Sequence, residues 1–190
     1  MNEFNPRGCR YSGAIANAAL DGAYFNLHFA SDTGSVPRVP GKSKANHRSG
    51  CPVSISLEIL GDRWSLLIIR DLMIRGFRTF KEFQESGEGI ATNILADRLD
   101  KLEAAGIITA ESEETDGRRV NHRLTEKGIG LAPVLLELLI WGARHEETGA
   151  PCALIENMEK NRQVLLAEVR RRWRERDPTP LQVEGQWRWP

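Results

Sequence analysis

One β-hairpin signal, set among helical patterns, constrains the fold of this chain more than any other feature. Two short runs rich in β-branched residues, Ile107–Ala110 and Val120–Leu124, flank a polar stretch centred on Asp116-Gly117. Asp-Gly between extended segments is a strong signal for a tight hairpin turn. The apolar residues before and after the hairpin recur at helical spacing instead. The sequence therefore predicts a mainly α fold with a small β-hairpin.

Four helices are predicted before the hairpin. Asp62 is suited to cap the second of them and Gly76 ends it, while Gly106 follows the fourth, which runs over Ala91–Ala105. The apolar residues that anchor the four helices are Ile55, Ile59 and Leu60; Trp64, Leu67, Ile68 and Leu72; Phe80 and Phe83; and Ile94, Leu95, Leu99 and Leu102. Four helices, a hairpin and then a long helix is the order of a winged helix-turn-helix.

Two further helices are predicted after the hairpin. A strongly apolar one covers Gly128–Glu147, and a last one covers Ile155–Arg176. The first is too apolar to be covered by one small domain, so we expect it to pack against its copy in a homodimer. The residues expected at that contact are Leu131, Leu135, Leu138, Leu139 and Trp141. The predicted architecture is thus a winged helix-turn-helix with C-terminal dimerisation helices.

Composition divides the chain into three segments. Residues 1–50, rich in Gly, Ser, Asn and Pro, are predicted to be a flexible arm; residues 51–148 hold the winged helix-turn-helix and the dimerisation helix; residues 149–190 hold a C-terminal helix and tail. We expect neither a membrane span nor a secretory signal. Three scattered cysteines favour a reducing compartment. The expected location is therefore the cytoplasm, in association with the nucleoid.

The fourth helix offers a polar face suited to reading bases. In a helix-turn-helix the second helix of the pair enters the major groove, and its N-terminal residues reach base edges. Thr92, Asn93, Ala96 and Asp97 lie opposite the apolar stripe of this helix. Asn93 can pair with adenine, Ala96 leaves room for a thymine methyl, and Asp97 can accept from a cytosine amine. The alternative is that Thr92 and Asn93 only start the helix.

Four basic residues are candidates for contact with the DNA backbone or the minor groove. Arg118 and Arg119 lie at the predicted hairpin tip, where guanidinium groups favour a narrow, negative minor groove. Arg78 and Lys81, at the start of the third helix, are candidate phosphate contacts that set register without reading sequence. The alternative is a solvated, charged hairpin.

Three stretches of this sequence resemble one known family. They are CPVSISLEILGDRWSLLIIRDLMIRGFRTFKEFQESGEGIATNILADRLDKLEAAGIITAE, RRVNHRLTEKG and LLELLIWGARH. They are similar in order and spacing to the HxlR-type helix-turn-helix family of bacterial transcriptional regulators, which have MarR-like winged helices. The resemblance covers Cys51–Glu147, and the pairing of GDRW with ILADRLDKLEAAGI is its most specific part.

The resemblance implies a homodimeric winged-helix repressor or activator, and we favour repression. Dimerisation places two reading helices about 34 Å apart and so predicts a two-fold symmetric operator in double-stranded DNA. The resemblance also implies that Arg98, Leu99 and Leu102 lie on the reading helix and Arg119 on the wing. Arg98 borders the apolar stripe, so it can instead hold that helix in place. His122 stands where the family more often shows tyrosine, which affects the packing of the wing.

Cys51 is a candidate redox sensor. It precedes Pro52 at the start of a helix, where the backbone N–H groups and the helix dipole favour a thiolate. Some members of the family that the chain resembles sense oxidants through a cysteine at this position. The alternative is an inert thiol buried at a dimer seam.

Other chemistries have weaker support in the sequence. His47, Cys51, His145 and Cys152 lack the close ligand pairing of a metal site, and the four dispersed histidines form no recognisable catalytic triad. We therefore predict no metal, no cofactor and no enzymatic activity, and the sequence does not identify a small-molecule effector. A protein-interaction module built on the same fold remains as the rival function. It is favoured by the 12 basic and 17 acidic residues within 51–148.

Overall fold

The computed structural model describes residues 48–112, 120–177 and 179–181. The predicted arm up to residue 47, the hairpin tip and the tail from residue 182 lie outside these ranges. Within them the chain forms α1 Pro52–Leu60, α2 Arg63–Arg70, a π-helical turn Asp71–Arg75, α3 Phe80–Gln84, α4 Thr92–Ala104, β1 Ile108–Ser112, β2 Val120–Leu124, α5 Glu126–Ile129, α6 Ala132–His145, α7 Cys152–Lys160 and α8 Arg162–Glu175. The predicted mainly α fold with a small hairpin is confirmed. None of the helices in the described ranges is long and apolar enough to cross a membrane.

The second helix begins as predicted but ends differently. Asp62 caps α2, and its Oδ1 accepts from the backbone N–H groups of Trp64 (2.9 Å) and Ser65 (3.0 Å). The last turn before Gly76, Asp71–Arg75, is π-helical rather than α-helical. Gly76 then closes the turn with a φ of 76°, a conformation that glycine adopts without steric cost. Apolar spacing does not distinguish the two helical forms over so short a stretch, so this turn could not be predicted.

The hairpin is fixed to the helix-turn-helix along one edge. β1 and β2 are antiparallel, with Ile108 paired to Leu124 at one end of the register and Ser112 paired to Val120 at the other. The opposite edge of β2 meets the start of α3, where the backbone N–H of His122 donates to the Arg78 carbonyl at 2.7 Å. The hairpin and α3 are therefore held together by backbone hydrogen bonds.

The predicted C-terminal helix Ile155–Arg176 is wrong in one respect, because the structure divides this segment into α7 and α8. The break lies at Asn161, whose φ of −114° and ψ of 27° are not helical. Its N–H donates to the Asn157 carbonyl (2.9 Å), and its own carbonyl accepts from Leu165 (3.0 Å). The Asn161 side-chain amide donates to the Asn157 Oδ1, and the low helix propensity of asparagine suits it to the break.

The long apolar helix predicted over Gly128–Glu147 is also divided, into α5 and α6. Pro133 lies in the first turn of α6. Because proline has no backbone N–H, it is tolerated in the first turn of a helix but not in its interior. The apolar pattern runs across the junction and gives no sign of it, whereas the proline does.

The apolar core joins the helix-turn-helix to the C-terminal helices. Leu95, Leu99 and Leu102 of α4 are buried in a cluster that also includes Val169 of α8. A second buried cluster holds the inner face of α6 against α7; its members are Leu136, Ile140, Ala143, Leu154, Ile155 and Met158. Helices α7 and α8 therefore cover one side of α6 within the same protomer.

Candidate nucleic-acid interface

The third helix begins with a capping box. The Thr79 Oγ1 accepts from the Glu82 N–H at 3.3 Å, and the Glu82 Oε2 accepts from the backbone N–H groups of Arg78 (2.8 Å) and Thr79 (2.7 Å). Burial by itself raises the pKa of Glu82, but these hydrogen bonds and the charge of Arg78 outweigh it and lower that pKa. The spacing Thr-x-x-Glu in the sequence is the signal for this box. It sets the direction in which the chain enters the helix-turn-helix.

Helix α4 presents a polar face at its N-terminal end. Thr92, Asn93, Ala96 and Asp97 are exposed, and the buried stripe of the same helix faces away from them. Ala91, the N-cap residue, supplies no side-chain acceptor to the first N–H groups of the helix. The N-terminal end of α4 therefore offers side chains and backbone donors to a ligand from outside the protomer.

Two charged residues of α4 are engaged inside the protomer. Asp97 accepts from the Lys101 Nζ at 2.8 Å, one helical turn away. The Arg98 Nε lies 3.3 Å from the Oδ1 of Asp62, the residue that caps α2. Burial by itself raises the pKa of Asp62, but hydrogen bonds from Ser65 and Trp64 and the charge of Arg98 lower it. Arg98 thus joins α4 to the start of α2, in agreement with the alternative that it holds this helix in place.

A cluster of charges that the sequence analysis missed fixes the turn before α4. The Asp71 carboxylate is buried in the π-helical turn, 2.7 Å from the Arg70 Nη2 and 3.4 Å from the Arg75 Nη1. The Arg70 Nη1 also reaches the Oε1 of Glu88 at 2.8 Å, and the Arg75 Nη1 donates to the Ser86 carbonyl at 2.9 Å. Ser86 and Glu88 belong to the turn between α3 and α4, so these arginines tie that turn to the π-helical turn. Alternating charges within an apolar helical pattern are the only signal of this cluster in the sequence.

The two candidate phosphate contacts near α3 differ in accessibility. The guanidinium of Arg78 points inward, and its Nη1 donates to the carbonyls of Leu72 (2.7 Å) and Phe77 (2.6 Å). Arg78 therefore braces the π-helical turn rather than extending toward solvent. The Lys81 side chain is 80% exposed, with its Nζ 3.8 Å from the Oε1 of Glu85. Such a surface pair is weak, so the Lys81 charge stays available.

The two predicted wing arginines, Arg118 and Arg119, lie outside the described residues. At the base of the wing, His122 is buried against Phe83, with ring centroids 6.1 Å apart. Its Nδ1 is buried and has no hydrogen-bond partner in the described ranges. Burial lowers the pKa of His122, although the charges of Glu103 and Asp100 oppose this shift. The imidazole thus fills the position where the related family more often shows tyrosine.

The five residues predicted for dimerisation separate into two groups. Leu131, Leu135 and Leu139 are half-buried against the cores of their own protomer. Leu138 and Trp141 point outward and are 47% and 57% exposed. The division arises because α7 and α8 cover the inner face of α6. This cover could not be inferred from the apolar pattern of α6 alone.

Cys51 lies at the N-cap of α1, and its side chain is exposed with a free thiol. Its backbone N–H donates to the Ser49 Oγ at 3.0 Å. His47, one of the metal ligands considered above, lies outside the described residues. Within those residues no three side chains of the metal-ligating types come together.

Comparison with known proteins identifies the family. Residues 59–150 match the model of the HxlR-like helix-turn-helix family. Two relatives from Bacillus subtilis (strain 168) are the HTH-type transcriptional regulators YybR, 32% identical over 101 residues, and YodB, 36% identical over 100 residues. The match covers 53% of this chain and 80% of YybR, and 52% of this chain and 88% of YodB. The chain belongs to the HxlR-like helix-turn-helix family.

Membership of the HxlR-like family makes this chain a helix-turn-helix transcriptional regulator. Among solved structures, the crystal structure of PA1607, a candidate transcription factor, is 39% identical with a TM-score of 0.50. That match covers 55% of this chain and 71% of PA1607. The match to the HxlR-like family ends at residue 150, so helices α7 and α8 lie beyond it.

Proposed function

We propose that this HxlR-like regulator is a homodimer that binds a two-fold symmetric operator in double-stranded DNA and represses transcription there, on the chromosome in the cytoplasm. Thr92, Asn93, Ala96 and Asp97 read bases in the major groove. The observation that carries this proposal is the free polar face at the start of α4, backed by its buried stripe Leu95, Leu99 and Leu102.

Positioning on the DNA falls to groups that contact phosphate. The Lys81 side chain is exposed, and the first N–H groups of α4 have no side-chain cap. Helix N-termini bind phosphate because unpaired N–H groups and the helix dipole both favour negative charge. Arg118 and Arg119 supply the minor-groove contact of the wing. Arg98 and the Asp71 cluster act indirectly, by holding α4 in place.

Dimerisation uses the outward face of α6. Val134, Leu138 and Trp141 follow one another at helical spacing and are each about half exposed: 48%, 47% and 57%. A monomer gains nothing from such an apolar stripe in water, whereas a second copy buries it. A two-fold dimer places two copies of α4 in successive major grooves, about 34 Å apart. The operator therefore consists of two half-sites in inverted orientation.

A test of DNA binding uses labelled DNA from upstream of the gene for this protein and of its neighbours. The salt concentration is about 150 mM and nonspecific competitor is in excess, because weak electrostatic binding is suppressed there. We expect a competitor-resistant complex of two protomers per site. Asn93→Ala relaxes base preference, while Arg119→Ala weakens binding to all sequences and lowers the salt slope by about one. The matched control is Gln163→Ala, which removes an exposed amide of α8 and leaves binding unchanged.

A protein-interaction module is the competing function for this fold. It predicts no competitor-resistant complex with any fragment. An equal loss of affinity for every sequence in Asn93→Ala contradicts the reading role assigned to that residue.

A second candidate function, redox sensing, is favoured by the position of Cys51. Its thiol is exposed and lies at the N-terminal end of a nine-residue helix. An exposed thiol is accessible to oxidants, which convert it to a sulfenic acid or a disulfide. If Cys51 is the sensor, peroxide changes the DNA affinity of the wild type but not of Cys51→Ser. Identical responses of the two proteins exclude this role.

A further inference from the structure

The end of helix α8 lies on the hairpin. The Trp173 Nε1 donates to the Leu124 carbonyl at the end of β2, at a distance of 2.7 Å. At the last turn of α8, the Arg176 Nη1 is 3.9 Å from the Oε2 of Glu111 on β1. Glu111 and Arg123 lie on the same face of the hairpin, because the register pairs residue 109 with 123 and residue 111 with 121. Arg176 and Arg123 are thereby brought to one face of the wing.

The backbone of Arg176 is unusual for an arginine. Its φ of 58° and ψ of 30° place it in the left-handed region, and no other non-glycine residue in the described ranges has a positive φ. This position, just after a helix, is the one at which glycine is most favoured. An arginine here therefore lowers the stability of the backbone relative to glycine. Its side chain is 68% exposed and lies on the side of α8 that faces the hairpin.

The neighbouring Arg123 has a charge without a partner. Its side chain forms no hydrogen bond and no ion pair with any residue that the structure describes. Burial lowers the pKa of Arg123, and the positive charge of Arg176 lowers it further, while Glu111 opposes both. The contact between Arg176 and Glu111 joins two exposed side chains at 3.9 Å, and exposed pairs of this kind contribute little. The guanidinium groups of Arg123 and Arg176 therefore lie on the same face, and the Glu111 carboxylate neutralises their positive charge only weakly.

Two other arginines of this stretch, Arg171 and Arg172, are better neutralised. The Arg171 Nη2 lies 2.7 Å from the Oε1 of Glu168 and the Arg172 Nε lies 3.0 Å from the same oxygen. The Arg172 Nη1 also donates to the Thr179 carbonyl at 2.7 Å. The charges of Arg171 and Arg172 are thus largely compensated, whereas those of Arg123 and Arg176 are compensated only weakly.

We propose that Arg123 and Arg176 together bind a phosphate group of the DNA backbone that runs beside the wing. Guanidinium groups bind phosphate oxygens in paired, charge-assisted hydrogen bonds. Arg176 is exposed and Arg123 is partly exposed, so a polymer that passes along the hairpin can reach both. The site also supplies positive charge that the helix-turn-helix segment lacks, since residues 51–148 hold 12 basic and 17 acidic residues. The proposal rests on the DNA-binding function proposed above.

The test compares Arg176→Gly with Arg176→Gln in the full chain. Both variants remove the charge, but only glycine relieves the left-handed backbone. We expect Arg176→Gly to raise the thermal unfolding midpoint above that of the wild type while weakening binding to all DNA sequences. In both variants the slope of log affinity against log salt, between about 50 and 200 mM, falls by about 0.9 per protomer. Arg123→Gln lowers the salt slope by the same amount. The double variant, Arg123→Gln with Arg176→Gln, lowers it by less than twice that amount, because the two residues share one phosphate.

The matched control is Arg174→Gln. Arg174 is exposed in the last turn of α8, two residues before the left-handed Arg176. We expect it to leave the salt slope unchanged. If the salt slope falls equally in Arg174→Gln, the proposal is overturned, because loss of any positive charge on this helix would then explain the effect.

Two further outcomes separate this proposal from others. If the wild type binds its operator and Arg176→Gly binds it with the same affinity and salt slope, the phosphate site is refuted while the DNA-binding function stands. If the wild type binds no DNA specifically, the underlying function fails first. Inorganic phosphate is the probe for a small-anion site. It is added at constant ionic strength, and the thermal unfolding midpoint is measured. If phosphate stabilises the wild type but not Arg176→Gln, and the two proteins have the same DNA affinity, the site binds a free anion. That result overturns the DNA contact.

Discussion

The indole of Trp173 joins the C-terminal helix to the hairpin, and its replacement tests how much that junction stabilises the protein. Trp173→Phe removes the N–H that donates to the Leu124 carbonyl at 2.7 Å and keeps most of the apolar ring. An unsatisfied buried carbonyl costs about 1–3 kcal/mol. Loss of the larger ring adds about 1 kcal/mol, since truncation of a packed side chain also leaves a small cavity. We expect a total loss of about 2–4 kcal/mol, which a domain with an unfolding free energy of about 5–15 kcal/mol survives.

The chain offers a matched control in Trp64→Phe. Trp64 is half-buried against the same core cluster as Trp173, and its indole N–H has no acceptor in the part of the chain that the structure describes. The control therefore loses ring volume without a hydrogen bond, at a cost of about 1 kcal/mol. Urea unfolding at one fixed protein concentration measures both losses, since the stability of a dimer depends on concentration. Amide hydrogen exchange in β2 accelerates in Trp173→Phe only. Equal losses in the two variants, with unchanged exchange in β2, refute the junction.

Three other predictions concern the cap of α3, the position of α4 and the dimer. Because the pKa of Glu82 is lowered in the folded state, its carboxylate stabilises the fold at pH values above the ordinary glutamate pKa of 4.5, and this stabilisation is lost as the pH falls through the folded pKa. In Glu82→Gln, we therefore expect the unfolding free energy to depend less on pH in that range. Arg98→Ala loses the contact with Asp62, which costs about 1–2 kcal/mol in urea unfolding and weakens binding to all DNA sequences alike. Leu138→Lys converts the dimer to a monomer in analytical ultracentrifugation. Val164→Lys, at an exposed apolar residue of α8, leaves the dimer intact. If both variants dissociate the dimer, or if neither does, the proposed interface on α6 is contradicted.

The order of elements up to the hairpin could be predicted because local chemistry marks each boundary. Asp62 supplies a side-chain cap, and Gly76 and Gly106 supply left-handed backbone at helix ends. The run Val120–Leu124 has the composition of a strand and forms one over its full predicted length. These signals act within a few residues, so a single sequence contains them.

The features that could not be predicted depend on contacts between distant residues. The hydrogen bond from Trp173 to Leu124 spans 49 positions in the sequence, and nothing near either residue indicates the other. Arg78 is a charged residue just before a helix, a position that is usually on the surface. Its guanidinium nevertheless points inward, because it donates to the carbonyls of Leu72 and Phe77 at the π-helical turn. The inward packing of Leu135 follows from the cover that α7 and α8 give to α6. Periodicity identifies apolar faces, but tertiary structure decides which of them are buried.

We propose that the N-terminal face of α4 reads DNA sequence in a dimer. Selection from a pool of randomised duplexes by the full-length protein at about 150 mM salt, in parallel with Asn93→Ala, tests this reading role. We expect the wild type to enrich a two-fold symmetric sequence with half-sites about one helical turn apart. We expect Asn93→Ala to lose preference at one base pair of each half-site and to keep it at the others. Enrichment of no sequence by the wild type, or of the same sequence with undiminished preference by Asn93→Ala, contradicts the claim.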